Sequence, residues 1–283
     1  MREKIISILI CPKCSNSLAL KIEKRENFRV NKGILSCNKC NAEFKITDDI
    51  VCFKSILKKG LEEKIKKNKK FLLNQEFYKK WLNQHNRKEL SSLKKEWRWM
   101  IEKINLINSR IHLDWAVGTG RFLRNILRLT RGDILVLEVD YATCVALKYF
   151  LKKIRGYKKV TIVYGDAKNM PFVNNSIDSA SSWHGVDEPK MKKALVESKR
   201  VLKKSGVLAV SGAFTEKDSK SLKAAIKYEM DLTKKDETYK YFKKLGFKKI
   251  DYQIFFEGEW SEKKSFWPKY RDRYSSYGVS GEK

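Results

Sequence analysis

The chain has 283 residues, 42% of them hydrophobic and 12% aromatic, enough apolar material for one large and one small packed domain, which excludes wholesale disorder. Four prolines and 14 glycines exclude a collagen-like chain, and no apolar run approaches the roughly 20 residues that a membrane helix needs. The 62 basic residues against 33 acidic ones give a formal net charge of +29, which bears on partners and solubility rather than on fold.

Residues 1–53 read as a small zinc ribbon. The apolar stretch 5–10 is followed by Cys11-Pro12-Lys13-Cys14 rather than by a small-residue cleavage site, so no secretory signal is expected. Cys11 and Cys14, then 22 residues, then Cys37 and Cys40 give the spacing of a four-thiolate zinc site, each pair forming one knuckle. Two-residue spacing suits structural disulfides poorly, and a thioredoxin-type motif needs one pair beside a βαβ unit. Cys52 and Cys144 sit in apolar surroundings and are expected as buried thiols. Segments 18–22 and 28–30 predict a hairpin, 34–36 enters the second knuckle, and 44–46 and 50–53 add strands around Asp48-Asp49. So short a unit draws its folding energy from the metal.

Residues 54–108 read as a basic helical connector. Leu72, Leu73, Phe77, Trp81 and Leu82 recur at helical spacing, as do Leu93, Trp97, Ile101 and Ile104. Such stripes are core contacts or, less commonly, platforms on which bases stack. Between 54 and 110 there are 17 basic and 6 acidic residues, a net of +11. This uneven excess points to a polyanionic partner, RNA above all, against the plainer reading of a lysine-rich composition.

Residues 109–283 predict an α/β fold, a Rossmann-like doubly wound, mostly parallel sheet. Strands are expected at 111–117, 134–139, 160–163, 177–182, 207–210 and 250–256. Helices are expected at 121–129, 142–154, 190–202, 219–230 and 237–245. The last 25 or so residues carry no assignment.

The first strand runs into Asp114-Trp115-Ala116-Val117-Gly118-Thr119-Gly120. Gly118 and Gly120 permit a turn with positive φ and close approach of a ligand to the backbone. The helix that follows offers free N–H groups to a carboxylate or phosphate. Asp140, 20 residues after Gly120, ends the second strand, where a carboxylate can accept both ribose hydroxyls. Asp166 follows the third strand, placed to accept from an adenine amino group. Singly, these are a chain reversal and two helix caps. In sequence order, at the carboxyl ends of successive strands, they converge where open α/β sheets bind ligands.

On these motifs the chain resembles the class I S-adenosylmethionine-dependent methyltransferases. Segment 113–122 is similar to the family's first motif, and Asp140 stands at the ribose-binding acid. Gly165-Asp166-Ala167-Lys168-Asn169-Met170-Pro171-Phe172 resembles the adenine-contacting stretch of the branch that acts on small molecules and RNA. Ser176-Ile177-Asp178 and 201–208 are similar to the motifs at the fourth strand and before the fifth. The resemblance covers about 111–256 and implies S-adenosylmethionine as cofactor. It implies contacts from Asp114, Ala116, Gly118, Gly120, Asp140, Tyr141, Asp166, Ala167 and Ser182. Ala116 departs from the family, whose first loop glycine usually sits there, and Val117 replaces the common Cys or Ala. The ribbon resembles the small zinc-binding activator of tRNA, rRNA and protein methyltransferases and the amino-terminal zinc module of rRNA guanine-N1 methyltransferases. That resemblance implies RNA as the substrate class, although zinc ribbons also serve dimer or protein contacts.

After the fourth strand stands Ser181-Ser182-Trp183-His184-Gly185-Val186-Asp187-Glu188, not the prolyl loop with which the family holds exocyclic amines. No cysteine lies near the fourth or fifth strand for covalent chemistry on cytosine. Direct in-line transfer to nitrogen or oxygen remains, helped by proximity and alignment. His184 and Asp187, with Glu188, are the candidate catalytic groups, and otherwise a polar, helix-capping loop. Trp183 either stacks on a base or packs. The expected function is methylation of an rRNA or tRNA base in the cytoplasm. The alternatives are a small-molecule methyltransferase and a non-catalytic RNA-binding or assembly protein.

Overall fold

The computed structural model describes residues 1–283 apart from 27, 74–82, 84, 264 and 266. Of the first helical stripe, Phe77, Trp81 and Leu82 therefore lie outside the described residues. Five strands form the parallel heart of the sheet: β5 (Ile111–Trp115), β6 (Asp133–Glu138), β7 (Val160–Tyr164), β8 (Ile177–Trp183) and β9 (Leu202–Thr215). β5 lies at the centre, paired with β6 on one side and β8 on the other, and β7 and β9 follow outward. The order reverses at β5, the point at which open α/β sheets leave a crevice at the strands' carboxyl ends.

β6 shows why the pattern reads as a buried parallel strand. All six of its residues are buried; Leu135 and Leu137 join one apolar cluster while Ile134 and Val136 join a second on the opposite face. α2 (Arg87–Ile104), the second part of the predicted connector, covers the side of the sheet that runs outward from β9. Its amino end is a capping box in which the Asn86 side chain accepts from the Glu89 N–H and Glu89 accepts from the Asn86 N–H. α1 (Leu61–Leu73) lies on α4 (Tyr141–Lys153), with the Asn68 amide donating to the Thr143 hydroxyl at 3.1 Å. Among the described residues the other α-helices are α3 (Arg121–Ile126), α5 (Lys192–Val201), α6 (Lys220–Lys227) and α7 (Glu237–Lys244). No described helix is long and apolar enough to cross a membrane.

Two features go beyond the sequence reading. The unassigned carboxyl-terminal residues form β11 (Arg273–Glu282), an antiparallel strand inserted between β9 and β10 (Lys248–Glu259). Gly278 is required there, because a Cβ would stand 2.6 Å from the Trp99 ring of α2. At the other edge, the ribbon strands β1 (Leu18–Glu26), β2 (Arg29–Cys37), β3 (Glu43–Thr47) and β4 (Ile50–Cys52) form an antiparallel meander. β4 then pairs in parallel with β7, which makes one eleven-stranded sheet. Ribbon and sheet share a core, in which Leu9, Leu35 and Phe44 pack in one cluster with Leu135, Val163 and Phe172. The joint is also polar. Arg29 pairs with Asp49 at 2.6 Å and donates to the Val160 carbonyl at 2.8 Å, and the Met1 amine pairs with Asp49.

Candidate active site and zinc centre

The four ribbon cysteines meet. The Sγ atoms of Cys11, Cys14, Cys37 and Cys40 all lie within 4.8 Å of one another, with Cys11–Cys40 at 3.6 Å and Cys14–Cys37 at 3.3 Å. A thiolate tetrahedron about zinc has sulfur–sulfur edges of about 3.8 Å, from the usual Zn–S length. The N–H groups of Lys39 and Cys40 point at the Cys37 sulfur, each at 3.5 Å, and such donors favour thiolate. The donor set therefore fits zinc. Cys52 and Cys144 are buried thiols apart from this group, and burial raises both pKa values.

The first knuckle rests on the loop after β7. The Ile10 N–H donates to the Pro171 carbonyl at 3.1 Å, the Val173 N–H to the Ile8 carbonyl at 2.9 Å, and the Asn169 amide to the Pro12 carbonyl at 3.0 Å. That loop begins at Asp166, so the ribbon is tied to a wall of the candidate cofactor cavity.

The cavity, of about 360 Å³, lies at the carboxyl ends of β5, β6 and β7. Of the expected contacts, Ala116, Gly118, Asp140, Asp166 and Ala167 line it. Gly118 has φ +51° with nothing within 4 Å of where a Cβ would stand, so a ligand can approach the backbone there. Gly120 has φ +70°, and a Cβ on it would stand 2.7 Å from Leu147, so this glycine serves the turn. Ala116 also has positive φ, +51°, a strain of about 1–2 kcal/mol for an L-residue. Its methyl lines the cavity without filling it.

The carboxylate facing the glycine turn is Glu138, which the sequence reading passed over. It accepts from the N–H of Gly118 (2.9 Å), Val139 (2.8 Å) and Asp140 (2.9 Å). Asp140 instead caps α4, accepting from the Ala142 N–H and the Thr143 hydroxyl, and pairs with Lys64 at 3.2 Å. The twenty-residue spacing that led from Gly120 to Asp140 leads equally from Gly118 to Glu138. Asp166 accepts from the Lys168 N–H at 2.9 Å, a turn that holds its carboxylate at the cavity.

Asp114, Gly120, Tyr141 and Ser182 are not among the described lining residues. Tyr141 packs edge-on against Tyr164, and the Ser182 hydroxyl donates to the Trp115 carbonyl at 2.8 Å. Asp114 is 1% exposed and ends a buried chain of hydrogen bonds between β5 and β8. Ser109 contacts Ser179 at 2.7 Å, Ser179 contacts His112 Nδ1 at 2.8 Å, His112 Nε2 contacts Ser181 at 2.9 Å, and Ser181 donates to Asp114 at 2.9 Å. With the Ser181 proton given to Asp114, its oxygen accepts from His112 Nε2–H, so Nδ1 accepts from Ser179. Burial lowers the His112 pKa to about 3 and raises that of Asp114 to about 7.

His184 follows β8 at φ +58°, and its backbone N–H is bonded to the Ser211 carbonyl. Its Nδ1 lies 2.6 Å from Asp187, whose other oxygen accepts from the Ala213 N–H. Its Nε2 lies 3.5 Å from Glu96 of α2, a fully buried carboxylate that also accepts from the Trp183 indole at 2.7 Å. Burial acts to depress the His184 pKa, yet the carboxylates of Asp187 and Glu96 outweigh it and hold the imidazole above its ordinary value. Glu96 was missed from the sequence, although it lies seven residues after Glu89 on one helix face.

A second cavity, of about 270 Å³, opens on the other side of this loop, and Glu89, Asp187, Trp183, Trp260, Trp267 and Tyr274 help to line it. His184 and Glu188 line both cavities. A donor held in the first and an acceptor in the second would therefore meet at these two residues.

Comparison with known proteins agrees with this geometry. Residues 113–206 match the family described as "Methyltransferase domain". A Bacillus halodurans chain assigned as a methyltransferase is 16% identical with TM-score 0.55, covering 66% of this chain and 98% of its own. A Haemonchus contortus phosphoethanolamine N-methyltransferase solved with S-adenosyl-L-methionine is also 16% identical, with TM-score 0.54, covering 67% of this chain and 52% of its own. The [4+2]-cyclase SpnF, 15% identical with TM-score 0.52, covers 66% of this chain and 80% of its own, so the fold alone does not fix the reaction. No curated protein matches the chain. Residues 113–206 thus match a methyltransferase domain, and the sheet that contains them has the fold of these solved structures.

Proposed function

We propose that the protein transfers a methyl group from S-adenosylmethionine to an acceptor bound in the second cavity. One observation carries this reading: two cavities of ligand size meet at His184 and Glu188. S-adenosylmethionine, when bound, supplies an electrophilic methyl on a sulfonium. Glu138 and Asp166 are the residues that would hold its ribose and adenine, and Gly118 admits it to the backbone. Asp187 fixes the His184 ring through Nδ1 and leaves Nε2, beside Glu96, as the atom that takes up a proton when the acceptor carries one. Alignment across the shared wall supplies most of the rate gain. Zinc at Cys11, Cys14, Cys37 and Cys40 acts structurally, since four thiolates leave no open position.

The net charge of +29 supports a second reading, RNA as acceptor, gripped through its phosphates by the connector and ribbon. Calorimetry of the zinc-loaded protein with S-adenosylmethionine tests the first reading, and absence of binding refutes it. Transfer of labelled methyl to total RNA, with retention that weakens steeply as salt rises, distinguishes the second.

A further inference from the structure

The second cavity runs against the charge of the chain. In a protein of net charge +29, the described residues lining it include the carboxylates Glu89, Asp187, Glu188 and Glu262 and one guanidinium, Arg121. The apolar lining is largely aromatic. Trp260 stands edge-on to Tyr274, with ring centroids 5.0 Å apart, and Trp183 and Trp267 line the cavity with Leu93 and Pro268.

Building on the methyl-transfer reading above, we propose that this cavity selects a small cationic amine, free of phosphate and carboxylate, as methyl acceptor. Glu89 carries the argument. It is 1% exposed, and its Oε2 accepts from the Asn86 N–H and the Ser261 hydroxyl, both at 2.8 Å. Its Oε1 is buried and accepts from no described residue. A buried carboxylate oxygen without a donor is costly, and an ammonium N–H supplies one. Aromatic rings attract cations as well, and three indoles line the cavity. A phosphate would meet four carboxylates offset by one guanidinium and the imidazoles of His184 and of His85, whose Nδ1 stands 3.4 Å from Glu89 Oε2, whereas phosphate sites gather several guanidinium donors. A neutral apolar acceptor would leave Glu89 as it is.

The reaction balances within this site. The ammonium gives one proton to neutral His184, and the freed lone pair forms the new N–C bond as the C–S bond breaks. The C–S electron pair stays on sulfur, leaving a methylammonium and a thioether.

The test uses the full chain, zinc-loaded and saturated with S-adenosylhomocysteine. Four probes are titrated by calorimetry and by tryptophan fluorescence: phenethylamine, its neutral isostere 2-phenylethanol, the anion 3-phenylpropionate, and phosphoethanolamine. Phenethylamine should bind at least tenfold more tightly than the alcohol, and the two anionic probes not at all. Glu89→Gln, which keeps the helix cap, should cost the amine about tenfold, roughly 1.4 kcal/mol, while S-adenosylhomocysteine binding stays unchanged. Glu262→Gln, on a partly exposed segment, gives a smaller loss in the same direction and checks the result should Glu89→Gln fold poorly. Equal binding of amine and alcohol, preference for an anion, no binding of any probe at millimolar concentration, or indifference to both substitutions overturns the assignment. If S-adenosylhomocysteine itself does not bind, the methyl-transfer reading falls, and amine selectivity measured without it still decides the chemistry of the cavity.

Discussion

Removing the metal should weaken cofactor binding although no ribbon cysteine lines the cofactor cavity. The tie consists of the three hydrogen bonds that join the first knuckle to residues 169–173, two of which make the antiparallel bridge between Leu9 and Phe172. At a net 0.5–1.5 kcal/mol per hydrogen bond, their loss removes about 3 kcal/mol that holds the loop beginning at Asp166. If binding must then restore that order, affinity for S-adenosylhomocysteine should fall ten- to a hundredfold, at about 1.4 kcal/mol per tenfold. Calorimetry on the native protein, a chelated sample and Cys40→Ser measures this, with circular dichroism to confirm that the sheet persists. Asn169→Ala removes one tie with the metal in place and should cost roughly threefold. Unchanged affinity in a folded, metal-free chain would refute the coupling.

Glu138→Ala, which strips the acceptor from three N–H groups, should weaken S-adenosylhomocysteine binding by about a hundredfold, while Asp140→Asn, a change of helix cap, costs under threefold; calorimetry that reverses this order would return the site to Asp140. Because Asp187 and Glu96 raise the His184 pKa, its neutral form predominates only at a pH above the ordinary imidazole value, so kcat/KM should rise with pH through a limb above that value. Asp187→Asn removes a raising charge and should move the limb to lower pH in the rate profile. His112, held neutral with a pKa near 3, contributes stability that is full above its unfolded pKa of 6.5 and is lost as pH falls, because only the unfolded state then gains the proton. The loss is about 1.4 kcal/mol per pH unit, or roughly 2 kcal/mol at pH 5, and urea unfolding of His112→Gln between pH 7 and pH 5 should show a slope smaller by that amount.

The parallel strands and their helices were legible because burial on both faces writes β6 as Ile134-Leu135-Val136-Leu137, with glycines and aspartates marking its neighbours' ends. The cysteine pairs were legible because their spacing is itself the geometry of a knuckle. β11 was not, since Ser275, Ser276, Gly278 and Ser280 earn their burial only by fitting under α2 and between two longer strands. Glu138 was hidden by a competing carboxylate two residues on, and nothing local says which of the two faces the glycine turn. The acidic cavity was hidden because Glu89, Asp187 and Glu262 come from distant segments, and a whole-chain charge of +29 masks a local excess of the opposite sign.

The pairing of β4 with β7 runs one ladder from the cysteine meander into the catalytic sheet. Heating should accordingly give a single endotherm instead of two separable ones, because neither half can melt without stripping the other's rim. The meander is for the same reason a poor cassette. Cut away, it would leave a bare parallel edge at Val160–Tyr164, an invitation to self-association that the intact molecule keeps covered.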